Sequence, residues 1–331
     1  MTTEAESAPI ESLPPEIKSI QPGGGVCMRI ELAWGGWRRW YLKTFRKRYI
    51  ADMLAKREGS TNACPHEVLD PRDVKFYRNQ GGYYWSEAND PFCWRDRLPF
   101  VRAGLAELFI LGATFFALTA ILAVVFWPLA IAPALVGLSI VWFFRNPKRI
   151  IPDETGVVVS PADGHIACVE DVSDEFIGKP AVLIGIFLSV FDVHINRVSM
   201  DATVIGLRHR RGKFLNALRP ESAQENERME VRFQQNSAPR RRFIIRQIAG
   251  AIARRIVCHV APGDSLEIGE QFGMIKLGSR TELIIPKEAG LELLVSKGQK
   301  VNAGATVLAR YTSTTETPVS PASETASGEA T

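Results

Sequence analysis

Three short segments carry residue types that can do chemistry together. SPADG at 160–164 sets Asp163 in a tight turn ahead of a strand, and FDVHINR at 191–197 sets His194 directly after a long apolar run. LGSR at 277–280 sets Ser279 after Gly278, between two strand-like runs. Separately, each has a plain structural reading as a turn, a strand-end histidine or a bend. Together, a carboxylate, an imidazole and a hydroxyl can act as orienter, base and nucleophile. Other chemistry has little support. His66, His165, His194, His209 and His259 show no HxxxH or HxH spacing, and the five cysteines are scattered without a CxxC pair. That pattern argues against a zinc site or a disulfide framework and for a reducing, cytosol-facing compartment. No GxxxxGK[ST] loop, no GxGxxG after a strand and no GxSxG elbow occurs.

The elements that must position these residues are mostly β. Runs at 157–159, 165–172, 181–190, 202–210, 228–234, 242–250 and 254–261 are rich in β-branched and aromatic residues, and QFGMIKL, TELIIP, LELLV and ATVLARY follow. Turn signals separate them every 8–12 residues or so, which predicts a sandwich or barrel-like domain. The one helical stretch expected there lies around 213–228. GDSLEIG at 263–269 and GQKVNAG at 298–304 share length and apolar positions, which suggests a pseudo-twofold pair of turns.

The first half differs. From Leu108 to Phe144 there is no charged residue, although charged residues make up 23% of the 331-residue chain. As one straight helix the run would reach roughly 55 Å, nearly twice a bilayer core. Pro128 and Pro133 near its middle predict a helical hairpin over 105–145 instead. Arg95, Arg97 and Arg102 precede it and Arg145, Lys148 and Arg149 follow, which places both ends on the cytoplasmic side of a cell membrane. Within 26–104, Trp34, Trp37, Trp40, Tyr41 and Phe45 share one helix face, with Arg38, Arg39, Lys43, Arg46 and Lys47 on the other. That pattern suits either a membrane interface or packing of the aromatics on the protein itself. Residues 1–25 and 312–331 have the composition of disordered tails. Forty Lys and Arg against 36 Asp and Glu give a net charge of only +4. No aromatic residues interleave with the basic clusters at 208–213 and 240–242, so no nucleic-acid partner is expected.

Taken with FFRNPKRIIP before SPADG, GKFLNA at 212–217, ENER at 225–228 and GEQFGMIKLGSRTELIIP, the three segments resemble the phosphatidylserine decarboxylase family over about 142–311. The resemblance implies an α+β, mainly β catalytic domain at 146–311 behind a transmembrane anchor. It implies a proenzyme that cuts itself between Gly278 and Ser279, leaving large and small chains and a covalent pyruvoyl group derived from Ser279. The pyruvoyl would take the amine of phosphatidylserine as a Schiff base and release phosphatidylethanolamine and carbon dioxide. His194 would be the base for self-cleavage and a proton donor, with Asp163 orienting or polarising it. Arg197, Lys213, Phe214 and Asn226 become substrate-binding candidates, with anionic membrane lipids as partners and a homodimer left open. Where many relatives carry a second histidine three residues on, this chain has Arg197, and the cleavage motif reads LGSR where LGST is commonest. His194 therefore carries the base role alone. Two other readings stay open: a membrane-anchored serine hydrolase using Asp163, His194 and Ser279, and a non-catalytic lipid-binding relative.

Overall fold

The computed structural model describes residues 8–60, 62–216, 221–251, 255–276 and 278–312. The expected tail beyond 312, the first seven residues of the expected N-terminal one, and Leu277 of LGSR lie outside the described residues. The fold is α+β and mainly β. In chain order the strands are β1 (Val157–Val159), β2 (Gly164–Asp174), β3 (Lys179–Leu188), β4 (Ile195–Arg197) and β5 (Ala202–Arg210). Next come β6 (Arg228–Gln235), β7 (Arg242–Ile248), β8 (Arg255–Cys258), β9 (Ser265–Leu266) and β10 (Gln271–Lys276). β11 (Ser279–Pro286), β12 (Leu291–Leu293), β13 (Lys300–Val301) and β14 (Val307–Tyr311) complete them.

One eight-stranded sheet runs β13-β2-β3-β11-β7-β6-β5-β9, and two three-stranded sheets run β1-β14-β12 and β4-β10-β8. Alternation along the central strands decides which face meets the core. Val182, Ile184, Ile186 and Leu188 of β3 and Leu283 and Ile285 of β11 enter the main core with Phe233, Phe243 and Phe272. Ala181, Leu183, Ile244 and Ile284 point the other way into a smaller cluster under Phe176 and Ile177. That second face also carries a cross-strand charge ladder: Arg246 pairs with Glu230, Asp174 and Glu282, and Glu282 with Arg280. The expected pseudo-twofold is geometric. β9 and β13, from the two similar segments, are the two edges of the large sheet, and Gly263, Gly269, Gly298 and Gly304 all take positive φ. The edges approach one another: a Cβ added at Gly304 would lie 3.6 Å from Gly269 Cα and 2.9 Å from Ile151 Cδ1. The sheet is thereby curled nearly into a barrel, with Ile151 wedged at the seam.

Three expectations are corrected. Residues 8–25 are not a free tail but a strap across the β domain. Ile17 is fully buried in the main core, Glu11 N–H donates to Ile205 C=O, and Cys258 N–H donates to Ile20 C=O. The polar composition hid a few spaced apolar residues that suffice to fill surface grooves. The helix expected at 213–228 shrinks, among the described residues, to a single turn, α4 (Ser222–Glu225), because the 213–216 segment is taken up by a bridge to Asn226. On α1 (Val26–Phe45), Arg38 and Arg39 face inward rather than out, ion-paired with Asp70 and Asp73. Trp34, Trp37, Trp40 and Phe45 are exposed and contact one another or Tyr41, so the aromatics do not pack on the β domain. α2 (Lys47–Ala55) continues the segment.

The apolar run forms α3 (Leu105–Phe143), which reverses at Phe126 (φ −159, ψ 98). A Cβ at Gly137 would sit 3.0 Å from the Phe116 ring, whereas a straight helix would part residues 21 positions apart by roughly 31 Å. The reversal falls two residues before Pro128, which occupies the first turn of the second arm, where its missing N–H costs little. Pro133 lies inside that arm without breaking it. The ends of the hairpin are zipped by Val101 N–H to Phe144 C=O and Asn146 N–H to Pro99 C=O. Its tip is wholly apolar and bare, with Val124 89% exposed. Cysteines introduced at positions 116 and 137 are expected to crosslink within one chain with a short thiol-reactive linker. Failure of that crosslink in the intact protein would sink the hairpin.

Candidate active site

The site forms where β3, β11 and the base of the hairpin meet. β3 ends at Leu188, and a turn closed by the Asp192 carboxylate, which accepts from Ser189 N–H and Ser189 Oγ, turns the chain so that His194 points inward. His194 is fully buried. Its Nδ1 lies 2.9 Å from the Asp192 main-chain oxygen and its Nε2 lies 3.2 Å from Gly278 N. A carbonyl can only accept and an amide N–H can only donate, so the ring carries its proton on Nδ1 and presents the Nε2 lone pair to the 278 peptide. The Phe143 ring, the last residue of α3, packs on the imidazole with centroids 4.7 Å apart. Burial pulls the His194 pKa down to about 4, against the weaker pull of the Asp192 carbonyl and carboxylate. The imidazole is therefore neutral at pH 7.

Ser279 opens β11 and is also fully buried, and its Oγ has no hydrogen-bond partner among the described residues. A buried hydroxyl left unpaired costs on the order of 1–3 kcal/mol, so its position calls for a purpose. Gly278 has φ +61, a conformation that suits a residue without Cβ. Gly250, just past β7, packs against the same peptide: a Cβ there would overlap the Gly278 carbonyl oxygen. Below, Asn196 Nδ2 donates to Thr281 Oγ1 and Gln247 Nε2 donates to Asn196 Oδ1, which fixes the start of β11 against β4 and β7.

The other residues singled out by sequence fall differently. Asp163 does not orient His194. Its carboxylate takes Arg149 at 2.6 Å and Ala303 N–H at 2.8 Å, and burial raises its pKa against the opposing pull of both. The orienting group is the Asp192 carbonyl, a main-chain atom that a search for side-chain types passes over. Arg197 donates to Gly269 C=O at 2.7 Å and so serves the barrel seam. Asn226 is fully buried and engaged at both ends, accepting from Leu215 N–H and donating to the Leu215 and Ala249 carbonyls. It holds the residue before Gly250 rather than a ligand. Lys213 pairs with Glu225 at the surface, and Phe214 packs against the edge of the main core. Sequence reasoning missed Gly250 and Gln247; the Ala-Gly-Ala step after a β run was the one available signal for Gly250. It also missed Lys276, buried two residues before Gly278 and ion-paired with Glu107 of the first hairpin arm.

Asp163, His194 and Ser279 thus do not form a hydrolase triad: the carboxylate is taken by Arg149, and the serine hydroxyl has no hydrogen-bond partner among the described residues. The arrangement suits chemistry on the neighbouring backbone, in a β domain fastened to an apolar hairpin. Comparison with known proteins agrees. The family model described as phosphatidylserine decarboxylase matches residues 136–309. A phosphatidylserine decarboxylase proenzyme of Rhodopirellula baltica is 53% identical over 238 residues, covering 72% of this chain and 99% of that protein. Those of Carboxydothermus hydrogenoformans (42% over 217 residues, 65% and 98%) and Paramagnetospirillum magneticum (39% over 236 residues, 70% and 90%) are also similar. The chain belongs to the phosphatidylserine decarboxylase family.

The buried histidine carries a pH signature. An unfolded histidine takes its proton near pH 6.5, whereas His194 stays neutral down to about pH 4. Its contribution to stability is whole above about pH 6.5 and is lost as pH falls towards 4, about 3 kcal/mol in all. In His194→Gln the loss of stability between pH 7 and 4, read from denaturation midpoints in detergent, is expected to be smaller by roughly that amount. An unchanged pH dependence would contradict the burial.

Proposed function

We propose that the chain is a self-processing phosphatidylserine decarboxylase of the membrane surface, cut between Gly278 and Ser279. The observation that carries this reading is the buried Ser279 hydroxyl, unpaired beside a backbone carbonyl that Gly250 alone leaves room for, with the neutral His194 Nε2 at the adjoining amide. Ser279 Oγ attacks the Gly278 carbonyl carbon and its proton ends on the Ser279 nitrogen as the C–N bond breaks; His194 serves as the base for this transfer once its Nε2 lets go of the neighbouring Gly278 N–H. The backbone is then an ester with a free amine on residue 279. Loss of the Cα proton of residue 279 breaks the Cβ–Oγ bond and releases Gly278 as a carboxylate. The dehydroalanine left behind takes up water and loses ammonia to become the pyruvoyl terminus of the small chain. The missing side chain at Gly250 matters most in the first step, where the carbonyl carbon becomes tetrahedral and its oxygen must move.

The residues present fit such a group: the first residue of β11 is enclosed, next to a neutral imidazole, and held by the Asn196–Thr281 bond. A pyruvoyl carbonyl there would supply a site to capture the substrate amine and an electron sink for the bond that releases carbon dioxide. His194 would then hold or return the proton that replaces the carboxylate. The two chains stay joined, because β11 is hydrogen-bonded between β3 and β7, and β13 and β14 pair with β2 and β1. The hairpin and the outward aromatic face of α1 support a bilayer position, with the basic flanks of the hairpin on the cytoplasmic side. Phe191, 73% exposed beside the hairpin base, has its carbonyl held by Arg145 and Trp142, so the loop that carries His194 lies next to the anchor.

Intact mass spectrometry of the detergent-extracted protein is expected to show two chains parting at 278/279, with the smaller one beginning in a pyruvoyl. Ser279→Ala should remain one chain, and splitting of that variant would remove the mechanism. Gly250→Ala is expected to slow processing about tenfold or more, a barrier increase of at least ~1.4 kcal/mol. Wild-type processing rates in that variant would mean that the carbonyl does not need the space.

A further inference from the structure

A cleft of about 460 Å³ lies between α1, the single turn at Cys93–Arg97 and the first arm of α3. No residue assigned to the candidate active site lines it. The hairpin arm separates the two: Glu107 turns to Lys276 beneath the active site, while Ala106, Phe109 and Ile110 line the cleft. The apolar walls, which include Trp34 and Trp94, open on the same side as the exposed aromatic face of α1.

Four cations reach the cleft, and three have carboxylate partners: Arg72 with Asp70, Lys75 with Glu31, and Arg102 with Asp96. Arg95 forms no ion pair among the described residues and rests over the Phe92 and Trp94 rings, 4.9 and 5.7 Å from their centroids. Burial, with Arg72 and Arg102 adding to it, pushes its pKa down against the weaker pull of Asp70 and Asp90. A half-buried guanidinium whose strongest charged neighbours are also cations leaves the cleft with a positive charge that no side chain answers. An anion would relieve it, and the bare apolar walls call for a ligand with hydrocarbon attached. The volume falls within the usual range of ~300–1,000 Å³ for small-molecule sites. It suits a headgroup and glycerol, with acyl chains running on along the exposed Phe109 and Ile110.

We propose that this cleft is a second lipid site, which binds an anionic phospholipid with its phosphate at Arg95 and Arg102 and its acyl chains against Trp34, Phe109 and Ile110. The site anchors the N-terminal helices to anionic membrane without taking part in turnover. The test is native mass spectrometry of the full chain released from detergent containing equal amounts of phosphatidylglycerol and phosphatidylcholine. Phosphatidylglycerol is expected to be retained preferentially, and Arg95→Gln to lower its retention roughly tenfold through the loss of a charge-assisted contact. Arg95→Lys should keep most of it. Arg102→Gln, which is expected to act in the same direction, serves if Arg95→Gln folds poorly. Equal retention of the two lipids, or no loss in either Gln variant, overturns the proposal. So does displacement of the lipid by inorganic phosphate alone, which would mark a simple phosphate site. Chain splitting is read in the same spectra, so retained lipid on an unsplit chain would refute the processing mechanism and leave this site standing.

Discussion

A neutral imidazole held between one carbonyl and one amide is the constraint around which the molecule is arranged. His194 can keep both hydrogen bonds in one protonation state only. A proton on Nε2 would set a donor against the Gly278 N–H and bury a charge with no carboxylate on the ring. The fold enforces the neutral form by shutting out water, and each wall is built by a different part of the chain. β3 delivers the turn that carries Asp192, β11 delivers the 278–279 peptide, and the hairpin delivers Phe143. Hairpin and β domain are therefore one unit: the same cluster holds Leu105, Phe143 and the adjoining Phe144 of the hairpin base together with Val193, Ile195 and Met274 of the β domain.

The neighbouring network explains why residues that look like ligands act as supports. Asn226 spends its amide on Leu215 and Ala249, Ala249 precedes Gly250, and Gly250 touches the Gly278 carbonyl. A loop far along the chain thus sets the position of the peptide that the proposed reaction breaks. Such precision is needed for an intramolecular attack, in which an error of about an ångström costs orders of magnitude in rate. The charge ladder through Arg280, Glu282 and Arg246 works on the opposite face to the same end, gripping β11 just after Ser279.

Much of this was legible in the sequence, for identifiable reasons. The long strands announce themselves by alternation, and the hairpin by its missing charges and its prolines. Ser279, Gly278 and His194 stood out as residue types in suggestive places, and the structure brings those three together. Asp163 misled because it has the right chemistry and the wrong neighbours: Arg149 claims it. The true orienting group is a main-chain oxygen, which every residue possesses and no residue type betrays. β4, β9 and β13 are two or three residues long, too short for a period to show. The strap at 8–25 was lost to composition averaging, because a fully buried Ile17 counts no more in a composition than an exposed one. The sequence sets Arg38 on the basic face of the helix but not against its partners, because Asp70 and Asp73 lie more than thirty positions away.

The hairpin does more than carry an apolar surface. Lys276, on the strand leading into the cleavage peptide, is buried and meets Glu107, with Arg255 adding a second cation to the same carboxylate. Glu107 begins the hairpin just before its charge-free run, so the carboxylate there is matched by cations from the β domain and not by water. Pulling the hairpin away would strand charges on both sides, and breaking a buried pair in that manner is costly, on the order of 3–5 kcal/mol. On the proposed reading, Lys276 lies near the new end of the large chain after cleavage, and this pair is what keeps that end from drifting off the site. The polar link between hairpin and sheet is thus placed where, under the proposed reaction, the backbone would lose its own continuity.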